Sequence, residues 1–275
     1  MFKTRLISGI VLVLVAMLLI IPNADVLLVG TLIISLIGMY ELYRVFKVEK
    51  SVLAMPGYLV AILFYVNCKF QVLSNDMLLY MTFLILLLFI YVFAFPKFDA
   101  KQVMATFFGF FYVAVMLSFV PQIRYMEHGV YLTFLIFICS WGCDTSAYCV
   151  GKLIGKHKMS PILSPKKSVE GAVGGVIGAG LLSFIYCMVF SKQMNLVTDQ
   201  IIFIVVASMI AALISMVGDL AASAIKRNYD IKDYGTLIPG HGGILDRFDS
   251  MIITAPIIYF ALSIFANGIG YYFTF

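Results

Sequence analysis

Long apolar runs separated by short polar stretches recur along the whole of this 275-residue chain. An α-helix crosses the ~30 Å hydrocarbon core of a bilayer with about 17 to 25 mainly apolar residues. Nine runs approach or reach that length: Leu6–Ile21, Val26–Phe46, Val52–Cys68, Met77–Phe95, Val103–Ile123, Val130–Tyr148, Gly171–Phe190, Ile201–Ile225 and Phe248–Phe273. The pattern predicts an all-α polytopic integral membrane protein with about nine transmembrane helices.

Composition agrees with this class, because 63% of the residues are hydrophobic, 12% are charged and the mean hydropathy is +1.04. A soluble domain carries about 25% charged residues. The first run lacks a small-residue cleavage site of the A-x-A kind, so we interpret it as a spanning helix and not as a signal peptide. The five cysteines form no C-x-x-C pair and are predicted to be small buried apolar residues. We expect one membrane domain, residues 1–275.

The distribution of positive charge predicts the orientation, since loops that stay in the cytoplasm carry an excess of Lys and Arg. With nine spans and a cytoplasmic N-terminus, 16 of the 19 Lys and Arg residues fall on the cytoplasmic side. Only Lys69, Arg124 and Lys192 fall on the other side. We therefore expect the C-terminus outside and two polar loops, residues 152–170 and 226–247, in the cytoplasm.

Intramembrane charge divides the chain into two regions. Residues 1–125, with helices 1 to 5, contain one notable acid, Glu41, which we interpret as an interfacial residue of an aromatic belt beside Tyr40, Tyr43 and Arg44. These helices are expected to act as a scaffold that faces lipid. Residues 126–275, with helices 6 to 9, hold the other candidates and are expected to be catalytic.

Four aspartates are predicted to meet at the cytoplasmic end of the second region. Asp144 lies in helix 6, and Asp246 and Asp249 share one face at the start of helix 9. Helix 8 carries a polar stripe at helical spacing. That stripe consists of Ser215, Asp219, Ser223 and Lys226.

Four carboxylates would repel one another in a partly desolvated pocket, and a divalent cation relieves that repulsion. Oxygen-only ligation favours Mg²⁺, and the sequence leaves open whether a second cation binds. The alternative is that the aspartates form internal ion pairs with Lys226, Arg227 and Arg247. The sequence thus predicts a metal site formed by Asp144, Asp219, Asp246 and Asp249.

The basic loop ends in Ser164-Pro165-Lys166-Lys167-Ser168, directly before helix 7. Hydroxyl, ammonium and backbone N–H groups that converge at a helix N-terminus favour phosphate binding. The alternative is a loop that only binds anionic lipid. Helix 7 itself carries closely spaced glycines, which we assign to helix packing. They are Gly171, Gly174, Gly175 and Gly178.

His241 stands among glycines in the other loop, where contact with a phosphate or a base and simple loop hydrogen bonding are both open. The 28 positions Ser223–Ser250 read SAIKRNYDIKDYGTLIPGHGGILDRFDS. This stretch resembles the signature of the phosphatidate cytidylyltransferases, also called CDP-diacylglycerol synthases. Asp144–Gly151 and Ser164–Gly171 resemble the same family, except that Ser168 stands where the family often has threonine. The resemblance covers about the C-terminal half of the chain.

The resemblance implies synthesis of CDP-diacylglycerol and pyrophosphate from phosphatidic acid and CTP, with Mg²⁺ required. It further suggests a homodimer in the cell membrane, with the active site facing the cytoplasm, membrane lipids around it and no nucleic-acid partner. On this reading the metal ligands would be the four aspartates, with Asp144 either a fourth ligand or a residue that orients the others. The other expected catalytic residues, for the lipid phosphate or the pyrophosphate, are Lys226, Arg227 and Arg247. The expected substrate-binding residues are Ser164, Lys166, Lys167, Ser168, Ser223 and His241.

Three other functions compete with this interpretation. A CTP-dependent polyprenol or phytol kinase would transfer the γ-phosphate and need a base for its alcohol, and no such base is evident. A transporter would place carboxylates near the bilayer midplane in repeated halves, whereas these aspartates cluster in one half. A CDP-alcohol phosphotransferase would show D-G-x-x-A-R-x₈-G-x₃-D-x₃-D, which the sequence lacks.

Overall fold

The computed structural model describes residues 2–240 and 242–267, with side chains described for residues 7–240 and 242–264. Within these residues the chain forms nine helices and one two-stranded sheet. The helices are α1 Phe2–Ile20, α2 Ala24–Val45, α3 Ala54–Phe70, α4 Met77–Phe93, α5 Ala100–Tyr125, α6 Gly129–Ile154, α7 Val169–Phe190, α8 Thr198–Asn228 and α9 Leu245–Asn267. Each predicted apolar run is therefore helical over most of the part that is described, and residues 268–273 of the ninth run lie outside it.

Six of the described helices, α2 and α5 to α9, contain stretches long and apolar enough to cross a bilayer. The apolar parts of α1, α3 and α4 are shorter, at 10 to 17 residues. Length and composition thus agree with a helical, multi-pass membrane protein. The count of nine crossings and the sides of the termini stay predictions.

The sheet is a hairpin between α6 and α7, which the apolar pattern does not predict. Strand β1, Lys158–Ser160, pairs with β2, Ser164–Ser168, in antiparallel register. The pairing gives the backbone of this polar loop internal hydrogen-bond partners. Since β2 runs directly into α7, the hairpin places Lys166 and Lys167 next to the N-terminus of that helix.

The chain divides into two compact units. The first unit combines Met1–Pro121 with Asp233–Arg247, so the loop before α9 and the first residues of α9 belong with the N-terminal helices. The second unit combines Gln122–Lys232 with Phe248–Phe275. The predicted catalytic residues are therefore divided between the two units.

Tyr43 organises part of the first unit, because its hydroxyl donates to the carbonyl oxygen of Thr106 at 2.7 Å. Its ring fills the space left by two glycines: a Cβ atom on Gly57 or Gly109 would lie 2.6 or 2.5 Å from an atom of Tyr43. Such distances are far inside van der Waals contact. Helices α2, α3 and α5 thus approach closely around one tyrosine.

Close packing also holds the second unit together, as the glycines of helix 7 predicted. A Cβ atom on Gly174 would lie 2.5 Å from Cβ of Val150 in α6. On Gly175 it would lie 2.7 Å from Cε of Met216 in α8. The assignment of these glycines to helix packing is confirmed, and α7 lies close to both α6 and α8.

The five cysteines are all free thiols. Cys139, Cys143 and Cys187 are buried as predicted, and Cys68 is half-buried. Cys149 is exposed, so the prediction of a buried position was wrong there. Its neighbours Val150 and Ala147 pack on α7, and position 149 lies about 100° away from Val150 around the helix.

Candidate active site

A cavity of about 430 Å³ in the second unit collects several of the predicted functional side chains. Residues of α6, the hairpin, α7 and α8 line it, and Tyr148, Met159 and Met216 form part of its apolar wall. The polar side chains in the lining are Asp144, Lys152, Lys166, Lys167, Ser168 and Asp219. Three ammonium groups can bind an anion, and two carboxylates can bind a cation beside it. A nucleoside triphosphate with a bound metal ion has both charges.

The lysine at the end of β2 reaches across this cavity to α8. Lys167 Nζ forms an ion pair with Oδ2 of Asp219. Both side chains are only partly accessible, at 29% for Lys167 and 20% for Asp219. The structure therefore brings a predicted phosphate-binding lysine to a predicted metal-binding aspartate, which the sequence assigned to separate segments.

Asp249 on α9 lies close enough to Asp219 to be influenced by its charge. Its side chain is 7% exposed, and it interacts with Asp219, Lys226 and Asp144 through their charges. Asp144 is tied to α9 as well, because the hydroxyl of Ser250 donates to its Oδ2 at 3.3 Å. Three of the four predicted carboxylates thus neighbour one another in the second unit, with Lys226 buried beside them.

Asp246 belongs to the first unit and has backbone partners there. Its Oδ2 atom accepts hydrogen bonds from the N–H groups of Tyr234 at 2.7 Å and Gly243 at 3.0 Å. Gly242 has φ +86°, and a Cβ atom there would lie 2.9 Å from the same oxygen. One oxygen of Asp246 therefore closes the glycine-rich loop before α9, and the metal role of this residue stays a prediction.

Glu41 is a residue whose importance the sequence reading missed. Its side chain is 4% exposed, and its two carboxylate oxygens accept hydrogen bonds from the N–H groups of Ile244 and Leu245. Glu41 was interpreted as an interfacial residue of an aromatic belt, but its side chain and that of the neighbouring Tyr43 are buried within the first unit. The available signal in the sequence was an acidic residue inside the apolar run Val26–Phe46. If such a residue is buried, its carboxylate needs hydrogen-bond donors.

Ser168 ends the hairpin and begins α7. Its hydroxyl oxygen accepts a hydrogen bond from the N–H of Gly171 at 3.1 Å, which makes it the N-cap of the helix. Gly151 leaves room for it, because a Cβ atom there would lie 2.9 Å from the hydroxyl oxygen. The predicted convergence of a hydroxyl, lysines and a helix N-terminus is present at this end of the cavity.

The base of the hairpin is held by Glu170. Its carboxylate accepts hydrogen bonds from the backbone N–H groups of Lys156 and His157, at 3.1 and 3.2 Å, and contacts Nδ1 of the same histidine. The N–H of Val169 donates to the carbonyl oxygen of His157 at 2.9 Å. These contacts set the position of the strand that carries Lys166 and Lys167.

The remaining predicted residues lie in different surroundings. Ser164 pairs with Ser160 in the hairpin, and Ser223 is half-buried on α8. Arg227 is exposed and donates to the carbonyl oxygen of Ile231 at 3.1 Å, next to the end of α8. Arg247 lies in the first turn of α9 and belongs to the first unit. His241 lies outside the described residues.

The donor set can be compared with the predicted magnesium. Among the described residues, no three or more His, Cys, Asp or Glu side chains form a preformed ligand cluster. Mg²⁺ does not require one, because it commonly takes one or two carboxylates and completes its shell with water and substrate phosphates. The neighbouring carboxylates of Asp144, Asp219 and Asp249 fit such a partial shell, and magnesium stays a prediction.

Comparison with known proteins finds relatives over nearly the whole chain. Residues 3–265 match the model of the cytidylyltransferase family. The phosphatidate cytidylyltransferase of Bacillus subtilis (strain 168) is 31% identical over 273 residues, which cover 96% of this chain and 98% of that protein. The enzyme of the same name from Staphylococcus epidermidis (strain ATCC 12228) is 27% identical over 263 residues, 93% of this chain and 97% of that protein. The Haemophilus influenzae enzyme is 42% identical over 129 residues, 47% of this chain and 44% of that protein.

Proposed function

The chain belongs to the cytidylyltransferase family, and from that premise we propose that it transfers the cytidylyl group of CTP to phosphatidic acid. The products are CDP-diacylglycerol and pyrophosphate, and the pathway is phospholipid biosynthesis. Relatives matched over nearly their full length are named phosphatidate cytidylyltransferase, which supports the two substrates. The enzyme is thus a nucleotidyltransferase that works on a membrane lipid.

The observation that carries the proposal is the cavity with Lys152, Lys166 and Lys167 beside Asp144 and Asp219. A triphosphate brings several negative charges, which ammonium groups in a partly desolvated space neutralise. The apolar wall of the same cavity is compatible with the acyl chains of a lipid. The cavity therefore suits the meeting of a nucleotide with a lipid phosphate.

The reaction needs alignment and charge neutralisation more than proton transfer. The phosphate monoester of the lipid is already largely ionised near neutral pH, so no general base has to activate it. One of its oxygens forms a bond to the α-phosphorus of CTP, and the bond from that phosphorus to the β-phosphate oxygen breaks. The electron pair of the broken bond leaves with pyrophosphate, and the cationic side chains hold the reacting phosphates in line.

We assign Asp219, Asp249, Asp144 and Asp246 to the binding of Mg²⁺, and the number of cations, one or two, is left open. When bound, the ion supplies neutralisation of charge on the phosphates and on the departing pyrophosphate. The neighbouring charges of Asp249, Asp219 and Asp144 support this assignment for three of the four residues. Lys167 partly balances Asp219 and orients its carboxylate through the ion pair.

The other side chains divide between the two substrates. Lys226, Arg227 and Arg247 are assigned to the lipid phosphate or the leaving pyrophosphate, and burial of Lys226 beside Asp249 favours a catalytic role for that lysine. The remaining polar residues are assigned to CTP and its phosphates: Ser164, Lys166, Lys167, Ser168, Ser223 and His241. Three of these six, Lys166, Lys167 and Ser168, line the cavity, which supports their assignment.

We further propose a homodimer in the cell membrane with nine crossings, a cytoplasmic N-terminus and an active site that faces the cytoplasm. The charge asymmetry of the loops supports this orientation. In a variant without native cysteines, an impermeant thiol reagent applied to intact cells should label Lys192→Cys. It should label Lys156→Cys only after the membrane is opened. Labelling of Lys156→Cys in intact cells, with Lys192→Cys labelled only after the membrane is opened, would overturn the orientation.

The homodimer is tested separately, by the molecular mass of the purified protein in detergent.

The reaction itself is tested with purified protein in detergent, phosphatidic acid, Mg²⁺ and CTP labelled either in cytosine or at the γ-phosphate. We expect cytosine label in the lipid extract, and a loss of about 100-fold or more for Asp219→Asn, as for other electrostatic stabilisers of a transition state. Asp99→Asn is the matched control, since Asp99 caps α5 and asparagine caps a helix equally well. The γ-phosphate label on a polyprenol would identify a kinase instead, and solute flux without either product would identify a transporter.

A further inference from the structure

Glu41 of α2 meets the start of α9 inside the first unit. The N–H of Ile244 donates to Oε1 of Glu41 at 3.1 Å, and the N–H of Leu245 donates to Oε2 at 2.8 Å. The first N–H groups of a helix have no acceptor within the helix, and α9 begins at Leu245. A side chain from a residue 204 positions earlier therefore supplies the acceptor that the start of α9 needs.

The loop 233–244, which precedes α9, closes tightly around this carboxylate. A Cβ atom on Gly235 would lie 2.8 Å from Cδ of Glu41. A Cβ atom on Gly243 would lie 2.6 Å from Cδ and 2.5 Å from Oε2. A side chain at either position would overlap Glu41, so two of the loop's glycines are explained by the close approach of one carboxylate.

The same loop connects Glu41 to Asp246, one of the proposed metal ligands. Gly243 packs against Glu41 and also donates its N–H to Oδ2 of Asp246. Tyr234 donates its N–H to the same oxygen, while its carbonyl oxygen accepts from Arg44, which lies one turn after Glu41 on α2. Two residues of α2 thus hold the two ends of the loop whose backbone orients Asp246.

We propose that Glu41 is a positioning residue for the reaction. It touches neither substrate, but its carboxylate sets the geometry of the loop 233–244 and, through that loop, the direction of Asp246. This inference rests on the proposed function for its effect on rate. Burial of an ionisable side chain at 4% exposure is costly, and backbone N–H donors compensate that cost only while the loop keeps this conformation.

Glu41→Gln tests the proposal with almost no change of volume. The amide nitrogen of glutamine would face an N–H donor, so one of the two hydrogen bonds is lost. We expect kcat to fall by about 10 to 100-fold, as when outer partners of metal ligands are removed, with a much smaller change in the KM for CTP. Amide hydrogen exchange in the segment 233–247 should become faster.

Ser35→Ala is the matched control, because Ser35 is buried on the same helix and its hydroxyl is paired with Tyr65 at 2.8 Å, not with the loop. It should keep the wild-type kcat and the wild-type exchange in segment 233–247. Glu41→Asp keeps the charge but shortens the side chain, so it should lower kcat less than Glu41→Gln does. This second variant also decides the matter if the glutamine variant does not fold.

Wild-type kcat per folded molecule in both Glu41 variants, with wild-type exchange in the loop, would overturn the proposal. A lower melting temperature with unchanged kcat and KM would overturn it too, because that result describes a purely structural residue. The exchange measurement does not depend on activity. If the wild-type protein made no cytidine-labelled lipid, the proposed function would fail, while exchange would still show whether Glu41 holds the loop.

Discussion

The ammonium of Lys167 pairs with the carboxylate of Asp219, which joins the end of the hairpin to helix α8. The two residues are 52 positions apart, and each comes from a segment that the sequence marks for a different task. The pair shows that the basic loop and helix α8 line one cavity. On the proposed function, a phosphate group that enters this cavity would meet a lysine whose position is set by an acid.

Replacement of Lys167 should impair catalysis far more than replacement of another lysine in the same segment. For Lys167→Gln we expect kcat/KM for CTP to fall by about 100 to 1,000-fold, since a fixed charge that stabilises the transition state is lost. Lys156→Gln should leave this value unchanged, because the Lys156 side chain is exposed and does not line the cavity. Initial rates at varied CTP concentration measure both, and equal losses in the two variants would contradict the specific role of Lys167.

Chelation of divalent cations should abolish cytidylyl transfer, and added Mg²⁺ should restore it. For Asp249→Asn the Mg²⁺ concentration that gives half-maximal rate should rise by at least about 10 to 100-fold, the effect known for outer partners of metal ligands. The reason is that Asp249 is one of three neighbouring carboxylates. A magnesium titration of wild type and variant measures this. Full activity in excess chelator would remove the metal from the mechanism.

Removal of the cap of α7 should destabilise the protein. Ser168→Ala deletes the hydroxyl that accepts the N–H of Gly171, and the loss of an N-cap costs about 1 kcal/mol. Ser191→Ala at the other end of the same helix is the control, because that hydroxyl only donates to the carbonyl oxygen of Met188. Thermal unfolding in detergent compares the two. An unchanged melting temperature for Ser168→Ala would contradict the capping role.

A methyl group at Gly174 should loosen the contact between α6 and α7. Its position, 2.5 Å from Cβ of Val150, forces the helices apart, because a β-branched side chain has little freedom to move away. We expect a loss of about 1 to 3 kcal/mol in the free energy of unfolding, as for other overpacked sites. Gly9→Ala is the control, since apart from the adjacent residues and the backbone of its own helix no atom lies within 4 Å of a Cβ atom there. Similar melting temperatures for the two variants would count against close packing at Gly174.

Local patterns in the sequence determined much of this protein. Apolar runs predict helices because each helix satisfies its own backbone hydrogen bonds, whatever its neighbours are. Residue type likewise predicts a cluster of carboxylates and lysines in the second half, and the cavity contains Asp144, Lys166, Lys167 and Asp219. Glycines at helical spacing on α7 predict close packing, which the short distances to Val150 and Met216 confirm.

Tertiary structure decided which of these residues meet. Glu41 reads as an ordinary interfacial acid in the sequence, because the N–H groups that bind it lie more than 200 positions away and backbone donors leave no mark on residue type. The same holds for the hairpin, whose pairing depends on the approach of two polar strands, and for the ion pair of Lys167 with Asp219. Hydrophobic periodicity is a property of neighbouring residues in the chain, whereas the partners of a buried charge are set by the packing of whole helices.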